Sequence, residues 1–269
     1  MTPTSNFQPI EPLFSKSILK TIQKQQDIPT GFDDLDKIIG GFRASNLIIV
    51  GGRPAMGCRS LILNTACHQA WEKKKVVCFF MTLTERNLIE RIKQIYQYHG
   101  RSHTTPAPSV YIDYKLDIEK MRGEIARLKR DEAVDVVYVE SVQMIGASEK
   151  PEATDQAEYA VKALWEMSRE FDLPIVALSS LSRQCEIRGG DRRPLLCDLR
   201  ESSTIEMYAD VVLMLHRPEY YGILMDENSN SLKNVAEIIV VKNSNGLLKT
   251  AKIEFDKQEQ VFDNELPPF

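Results

Sequence analysis

The chain has 269 residues, of which 43% are hydrophobic and 27% are charged; this is enough apolar material for one sizeable core and excludes the disordered and collagen-like classes. Thirty-four Lys and Arg against 38 Asp and Glu give a formal net charge of −4, so no overall positive field attracts the protein to nucleic acid or anionic lipid. Any such binding must come from local patches.

Cysteine usage and hydropathy indicate a soluble protein in a reducing compartment. The five cysteines include no C-x-x-C pair, and three of them lie among apolar neighbours, where free thiols commonly pack. No apolar run approaches the ~18 residues of a membrane span. The polar opening MTPTSNFQPIEP lacks the basic and apolar regions of a signal peptide. We therefore expect a cytoplasmic protein.

Strand and helix patterns alternate along the chain. Runs rich in β-branched residues predict buried strands, and segments of helical period between several of them predict helices. The strands are predicted at 47–50, 76–81, 110–113, 136–139, 175–179, 211–216 and 236–241, and the helices at 60–71, 87–98, 118–130 and 153–171. This alternation predicts right-handed βαβ units on a mainly parallel sheet.

The two ends of the chain depart from this alternation. The sequence Asn243-Ser244-Asn245-Gly246 is typical of a type I′ turn, and with a strand at 249–255 it predicts an antiparallel β-hairpin. Ahead of the first strand, residues 14–25 have the pattern of a short amphipathic helix, which ends before Pro29. Two interpretations of this helix stay open: it packs on its own sheet, or it docks on a neighbouring subunit.

A glycine-containing loop follows the first strand and precedes the first long helix. Its sequence, Gly52-Arg53-Pro54-Ala55-Met56-Gly57-Cys58-Arg59-Ser60, has the glycine separation of a phosphate-binding P-loop. Such a loop directs backbone N–H groups at a polyphosphate, while a Lys reaches the β and γ phosphates and a Ser or Thr hydroxyl holds magnesium. Cys58 stands at the Lys position and Arg59 at the hydroxyl position. The motif alone therefore fits either a degenerate nucleotide site or a bare structural turn.

Three segments together resemble the C-terminal motor domain of the DnaB-type replicative DNA helicases. They are Pro29 to Asp36, Gly52 to Gly57, and Asp198 to Ser202 with Ile205, Glu206, Ala209 and Asp210. The likeness runs from about Ile28 to Phe262. It implies a RecA-like P-loop NTPase core of α/β class, a ring of six subunits, ATP bound between neighbours, and single-stranded DNA in the central channel.

The same resemblance assigns roles to further positions, most of which carry other residues here. Glu140 replaces the usual Asp of the Walker B strand, a mild change because a longer carboxylate still reaches a metal-bound water. Thr82 stands where the family has the glutamate that activates the attacking water, and a hydroxyl cannot act as that base. Ser180 stands where a glutamine senses the γ-phosphate. Lys242 keeps the first of two groups inserted into the adjacent subunit's site, but Ser244 replaces the arginine finger.

These substitutions predict a motor with weak or no ATP hydrolysis. An arginine finger is worth roughly 10³–10⁵ in rate and a general base roughly 10²–10⁴, although such losses need not multiply. Partial compensation stays open, with Arg59 turned toward the phosphates and Ser60 offering a hydroxyl one position late. Glu85, three residues beyond Thr82, fits a carboxylate at the start of a helix better than a replacement base.

The resemblance places DNA-facing loops after the Walker B strand and after strand 175–179. The first loop, 146–152 with Asp155 soon after, is acidic and poorly suited to phosphate contact. The second supplies the candidate DNA contacts Arg183, Arg188, Arg192, Arg193 and Arg200. A solvated loop fits the same arginines, because the net charge is negative and the loop has no base-stacking aromatic residue.

The sequence contains no motif for zinc binding, nucleophilic catalysis or dinucleotide binding. The four histidines do not cluster with cysteines at zinc-ligand spacing, and no nucleophile elbow, paired acid and base, or dinucleotide-binding turn is present.

Three functions stay open for this sequence. The first is a helicase-motor homologue with impaired hydrolysis, acting in assembly or on DNA, with weakened ATP or ADP binding and doubtful magnesium. The others are a diverged but active DNA-dependent ATPase and a protein-interaction scaffold.

The resemblance also sets expectations for organisation and partners. We expect an N-terminal segment with a linker-type helix at 1–27 and a RecA-like core at 28–269, with the family's N-terminal helical domain absent and primase recruitment doubtful. We further expect a homo-oligomer or a complex with an active helicase relative, single-stranded DNA as a candidate ligand, and no membrane.

Overall fold

A computed structural model describes residues 27–102, 104–113, 117–146, 153–200, 202–244 and 246–264. The helix predicted at 14–25 and most of the acidic loop at 146–152 lie outside these ranges. None of the helices within them is long and apolar enough to cross a membrane. All five cysteines are free thiols.

The described residues form a nine-stranded sheet, in the spatial order β3-β2-β4-β5-β1-β6-β7-β8-β9. The strands are β1 (Leu47–Gly52), β2 (Val76–Phe80), β3 (Ser109–Ile112), β4 (Val136–Val139), β5 (Ile175–Ser180), β6 (Val211–His216), β7 (Val235–Asn243), β8 (Thr250–Asp256) and β9 (Val261–Asp263). The pairs from β3 across to β6 are all parallel. The predicted mainly parallel sheet is therefore confirmed.

Helices connect the parallel strands, as the alternation predicts. The described helices are α1 (Asp33–Ile39), α2 (Cys58–Trp71), α3 (Glu85–Tyr98), α4 (Ile118–Glu132), α5 (Ala153–Glu170), α6 (Gln184–Ile187) and α7 (Ser202–Tyr208). The four long ones, α2 to α5, match the predicted helices within two residues at each end. The short α1, α6 and α7 are too brief to show a helical period.

Apolar side chains fill a core on each face of the sheet. Successive residues of a strand point to opposite faces, and β1 divides accordingly: Ile48 and Val50 belong to one core, whereas Leu47 and Ile49 belong to the other. A central parallel strand that is buried on both faces has a continuous apolar sequence. This is why β1 shows no alternation of apolar and polar residues.

Local capping fixes where two of the long helices begin. The Thr84 side chain accepts a hydrogen bond from the backbone N–H of Asn87 at the start of α3, and Asp117 accepts one from Lys120 at the start of α4. Such caps satisfy amide groups that have no partner within the helix. On α4 the predicted apolar face is buried; its members are Ile118, Met121, Ile125 and Leu128.

The C-terminal edge of the sheet is antiparallel and larger than predicted. β7 and β8 form the expected hairpin, but their pairing ends at Ile239 and Thr250, so the connection is wider than a two-residue type I′ turn. The end of β7 continues past β8 and pairs Lys242 and Asn243 with β6. β9, which the sequence analysis did not predict, then pairs with β8 and places Phe262 beside Phe255.

Candidate functional site

A cleft of about 980 Å³ opens where the carboxyl ends of four parallel strands meet. β1 leads into the glycine-containing loop, Thr82 and Glu140 follow β2 and β4, and Ser180 ends β5; all of these line the cleft except Met56 of the loop, which is 1% exposed and packs in the core instead of at the predicted nucleotide site. Ligands bind in this position in open α/β sheets, beyond the carboxyl ends of the strands. The fold thus brings together the loop, Thr82, Glu140 and Ser180, as the sequence analysis expects.

The loop has the backbone conformation of a strand-to-helix phosphate cradle. Ala55 and Gly57 adopt left-handed φ angles of 69° and 102°, and Gly57 is the N-cap of α2. A Cβ on Gly57 would lie 3.0 Å from the Phe262 ring. Because the first amide groups of a helix lack intrahelical partners, the start of α2 directs backbone donors into the cleft.

Cys58, at the position of the phosphate-binding lysine, supplies no charge to the cleft. Burial raises the pKa of its thiol to about 12, so the side chain is neutral near pH 7. The sulfur packs against β1, where a Cβ on Gly52 would collide with Cys58 Sγ. Cys58 therefore behaves as a small packed side chain rather than as a phosphate ligand.

Arg59 contacts both Glu140 and Thr82, the residues that the resemblance places at the Walker B and general-base positions. Its Nε donates a hydrogen bond to Glu140 Oε1, and one terminal nitrogen donates to Thr82 Oγ1 at 2.8 Å. Thr82 Oγ1 also donates to Glu140 Oε1 at 2.6 Å. The other oxygen, Glu140 Oε2, accepts the backbone N–H groups of Met81 and Thr82 at 3.2 and 3.1 Å. Both carboxylate oxygens of Glu140, which is 2% exposed, are thus occupied from within the chain.

A glutamine that the sequence analysis did not single out joins the Walker B segment to the sensor strand. Gln143 Nε2 donates to Ser179 Oγ at 3.0 Å, and its Oε1 accepts the backbone N–H of Ser180 at 3.2 Å and Ser141 Oγ at 2.9 Å. Ser180 itself is exposed at the cleft. The sequence held no signal for this link, since it depends on the adjacency of β4 and β5.

A half-buried arginine, Arg53, and a buried one, Arg217, support the loop. Arg53 donates to the carbonyl oxygen of Leu181 at 3.1 Å and to Glu186 at 2.9 Å. Arg217, only 6% exposed, donates to the carbonyl oxygen of Ala55 at 3.3 Å and lies over the Phe255 ring. Burial lowers the pKa of Arg217. Arg217 was also not predicted, because only the pairing of β6 with β1 brings it to the cleft.

Three further candidates of the sequence analysis, Lys242, Ser244 and Glu85, lie away from the cleft lining. Lys242 Nζ donates to the carbonyl oxygen of Glu206 at 2.6 Å, near the end of α7, and Ser244 follows β7 on the same side. Glu85 is the exposed first residue of α3, which is the role favoured from the sequence. Ser60 lines the cleft, so it stays available as a hydroxyl. Arg59 also lines the cleft; its guanidinium donates to Glu140 and Thr82 while the side chain is 44% exposed, and its compensating role toward the phosphates stays a prediction.

Carboxylates of the chain pair with two of the five candidate DNA-binding arginines. Arg188 forms an ion pair with Asp198, and Arg193 forms ion pairs with Glu237 and Asp191. Both Asp198 and Glu237 are buried. Arg192 lies over the Tyr221 ring, 5.3 Å from its centroid. Arg183 and Arg200 form no ion pair among the described residues.

The fold defines a RecA-like P-loop NTPase domain, with the glycine-containing loop at the start of α2. The sequence matches the family described as DnaB-like helicase C terminal domain over residues 27–97 and 93–264. The chain belongs to this family. The expectation drawn from the resemblance is therefore confirmed at the level of family and fold.

Individual relatives give the same assignment. The chain is 31% identical over 261 residues to the replicative DNA helicase DnaB of Geobacillus stearothermophilus, covering 88% of this chain and 56% of that protein. It is 32% identical to the replicative DNA helicase DnaC of Bacillus subtilis (strain 168), with the same coverage. The chain thus spans about half the length of the curated relatives it matches.

Solved structures agree on the fold. The chain is similar to the ATPase domain of G40P, with a TM-score of 0.82 and 23% identity, covering 97% of this chain and all of that one. It is also similar to a DnaB-like replicative helicase solved in a study of its interactions with primase, with a TM-score of 0.80, 23% identity and coverage of 97% and 68%.

Proposed function

We propose that this chain is a DnaB-type motor-domain homologue with weak or no ATP hydrolysis, acting as an assembly or DNA-binding module in DNA replication or recombination. One observation carries the proposal: the Arg59 guanidinium is bonded to both Glu140 and Thr82. These are the positions of the metal-binding hydroxyl, the Walker B carboxylate and the general base. Phosphoryl transfer depends on positioning and electrostatic stabilisation at just such groups.

Further positions support the same proposal. Cys58 is neutral and packed, Ser180 is too short to sense a γ-phosphate, and Ser244 cannot replace an arginine finger. Adenine nucleotide remains the proposed ligand of the cleft, with weakened affinity. A homo-oligomer or a mixed assembly with an active relative is the proposed state, and the division into segments 1–27 and 28–269 stays a prediction.

Steady-state phosphate release from the purified chain, with and without single-stranded DNA, tests this function. We expect turnover well below about 1 per second, the low end of usual enzyme rates. Because several groups are changed together, Cys58→Lys alone is expected to restore no activity. Turnover of about 1 per second or more would instead favour the diverged, active DNA-dependent ATPase.

A protein-interaction scaffold is the second candidate, and the ion pairs of Arg188 and Arg193 favour it. Arginines held by buried carboxylates are less available to a DNA backbone than free ones. Exposed apolar side chains add to this argument, with Ile187 82% and Met207 73% exposed. Calorimetric titration with nucleotide separates the scaffold, which binds none, from the other two functions.

A further inference from the structure

The residues at the expected magnesium position do not fit magnesium. This ion requires near-octahedral oxygen ligands at about 2.0–2.1 Å and keeps several of its waters. At the position of the ligating hydroxyl stands Arg59, a cation that donates hydrogen bonds and has no acceptor atom. Its guanidinium already donates to Glu140 Oε1 and Thr82 Oγ1.

Glu140 has no oxygen free to hold a metal-bound water. Its Oε1 accepts from Arg59 and Thr82, and its Oε2 accepts two backbone N–H groups. A buried carboxylate needs such partners to remain ionised. In this chain the Walker B carboxylate therefore acts as the buried counter-ion of a guanidinium.

Arg59 supplies part of the charge that a metal would bring. An arginine side chain is a cation whose planar fork matches the geometry of phosphate oxygens. The side chain is 44% exposed, so the guanidinium is buried on the Glu140 side and open toward the cleft. A phosphate at the start of α2 can contact this open side while Glu140 holds the other.

The rest of the lining is also positive without a metal. Five basic residues line the cleft: Arg53, Arg59, Arg91, Arg217 and Lys257. Two acidic ones do so, Glu140 and Glu219, and Arg59 pairs with the first of them. A concave site with an excess of one sign of charge concentrates the opposite ion, here a polyphosphate.

We infer that the cleft binds a nucleoside diphosphate or triphosphate without a divalent cation, with Arg59 in the place of magnesium. The inference rests on the proposed function only in taking the cleft as the nucleotide site. It adds that binding does not depend on the metal on which turnover in a P-loop NTPase relies.

Calorimetric titration of ADP and of ATP, in parallel buffers containing magnesium or EDTA, tests this inference on the unaltered chain. For each nucleotide, we expect the dissociation constant in magnesium and the dissociation constant in EDTA to agree within about threefold. Affinity at least about tenfold weaker in EDTA would overturn the inference, as would the absence of binding in both buffers. Rapid phosphate release would contradict the proposed function but would leave this inference about metal-independent binding untouched.

Variants at Arg59 identify the residue responsible. Arg59→Met is expected to weaken nucleotide binding in EDTA by about tenfold or more, because a charge-assisted contact is lost. Arg59→Thr should make binding magnesium-dependent, since it restores the hydroxyl and frees Glu140. Arg86→Met, an exposed arginine paired with Glu90 outside the cleft, is the matched control and should leave both constants unchanged.

A direct metal readout is independent of nucleotide. Paramagnetic resonance with Mn²⁺, which also prefers oxygen ligands, is expected to detect no specific ion bound at Glu140 in the unaltered chain and one in Arg59→Thr. Circular dichroism establishes that the variants are folded. A specific Mn²⁺ site in the unaltered chain that Glu140→Gln abolishes would contradict the inference.

Discussion

Arg59 Nε donates to Glu140 Oε1 across an ion pair whose carboxylate side chain is 2% exposed and whose arginine side chain is 44% exposed. The pair joins the first turn of α2 to the end of β4, and through Thr82 it also reaches the end of β2. One guanidinium thus links the start of a helix to the ends of two strands.

Removing this guanidinium is expected to lower the stability of the fold. Arg59→Met leaves a buried carboxylate without its cation, and we expect the free energy of unfolding to fall by about 1–3 kcal/mol; the partial exposure of Arg59 keeps the loss below that of a fully buried pair. Urea unfolding measures the change. The exposed pair of Arg86 and Glu90 gives the control, since Arg86→Met should alter stability by no more than about 0.5 kcal/mol.

Adding Glu140→Gln to Arg59→Met removes the unpaired charge and should recover part of the lost stability. The two substitutions are then non-additive, as expected for residues in direct contact. Additive effects within experimental error would show that the pair contributes nothing beyond its separate contacts.

The stability of the fold is expected to decrease in mild acid because of a buried histidine. His216 is 2% exposed and stacks on Tyr221; burial, with a smaller contribution from Arg193, lowers its pKa from 6.5 to about 4. As the pH falls, the histidine of the unfolded chain therefore takes up a proton before that of the folded chain. The stability that neutral His216 contributes to the fold is complete above pH 6.5 and is lost as the pH falls toward 4. Its full size is about 3 kcal/mol.

Urea unfolding at a series of pH values, for the unaltered chain and for His216→Phe, checks this expectation. The phenyl ring keeps the stacking on Tyr221 but takes up no proton, so the variant should lose less stability between pH 6.5 and pH 4. The remaining slope belongs to other groups, among them His68, whose pKa burial and the nearby His99 lower to about 4. Identical slopes would contradict the assignment to His216.

The position of Cys58 is tested by a glycine substitution in β1. A Cβ at Gly52 collides with Cys58 Sγ, so Gly52→Ala is expected to cost about 1–3 kcal/mol, the usual range for overpacking. Cys58→Ala in the same chain removes the sulfur and should recover most of this loss. Thermal unfolding of the single and double variants measures both steps. If the double variant recovers no stability, the loss in Gly52→Ala does not come from the contact with Cys58.

If the loop after β5 binds single-stranded DNA, its arginines differ in their contributions. Arg183→Ala with Arg192→Ala, at two arginines that form no ion pair among the described residues, should weaken binding and reduce the slope of log affinity against log salt by about 1–2, since each lost phosphate contact removes about 0.7. Arg188→Ala should affect stability more than DNA affinity, because Arg188 is paired with the buried Asp198. Fluorescence anisotropy at several salt concentrations makes the comparison, and salt-independent binding would exclude a role for the loop in phosphate contact.

Strongly periodic segments were the predictable part of the fold. The four long helices and eight strands show their pattern locally, and their order indicates a mainly parallel sheet. β9 has only three residues, and α1 and α7 have seven each, too few to show a period. The width of the loop after β7 was also not predictable, because β6 rather than β8 determines how far that strand extends.

The sequence predicted which residues meet in the cleft but not how they interact. Cys58, Arg59, Thr82 and Glu140 were singled out by comparison with the family's motifs, and all four line the cleft; the roles assigned to them stay predictions. That Arg59 pairs with Glu140 could not be predicted, since a side chain at the start of a helix has several directions open to it. Arg217 and Gln143 carried no motif, and only the pairing of strands distant in sequence brings them to the cleft.

Phosphate release by the unaltered chain, measured beside a variant with the family's residues restored, tests the central claim most directly. The restored variant carries Cys58→Lys, Arg59→Thr, Thr82→Glu, Ser180→Gln and Ser244→Arg. We predict that the unaltered chain, with magnesium and single-stranded DNA present, turns over well below about 1 ATP per second, and that any gain appears only in the restored variant. Turnover by the unaltered chain at about 1 per second or faster would contradict the account.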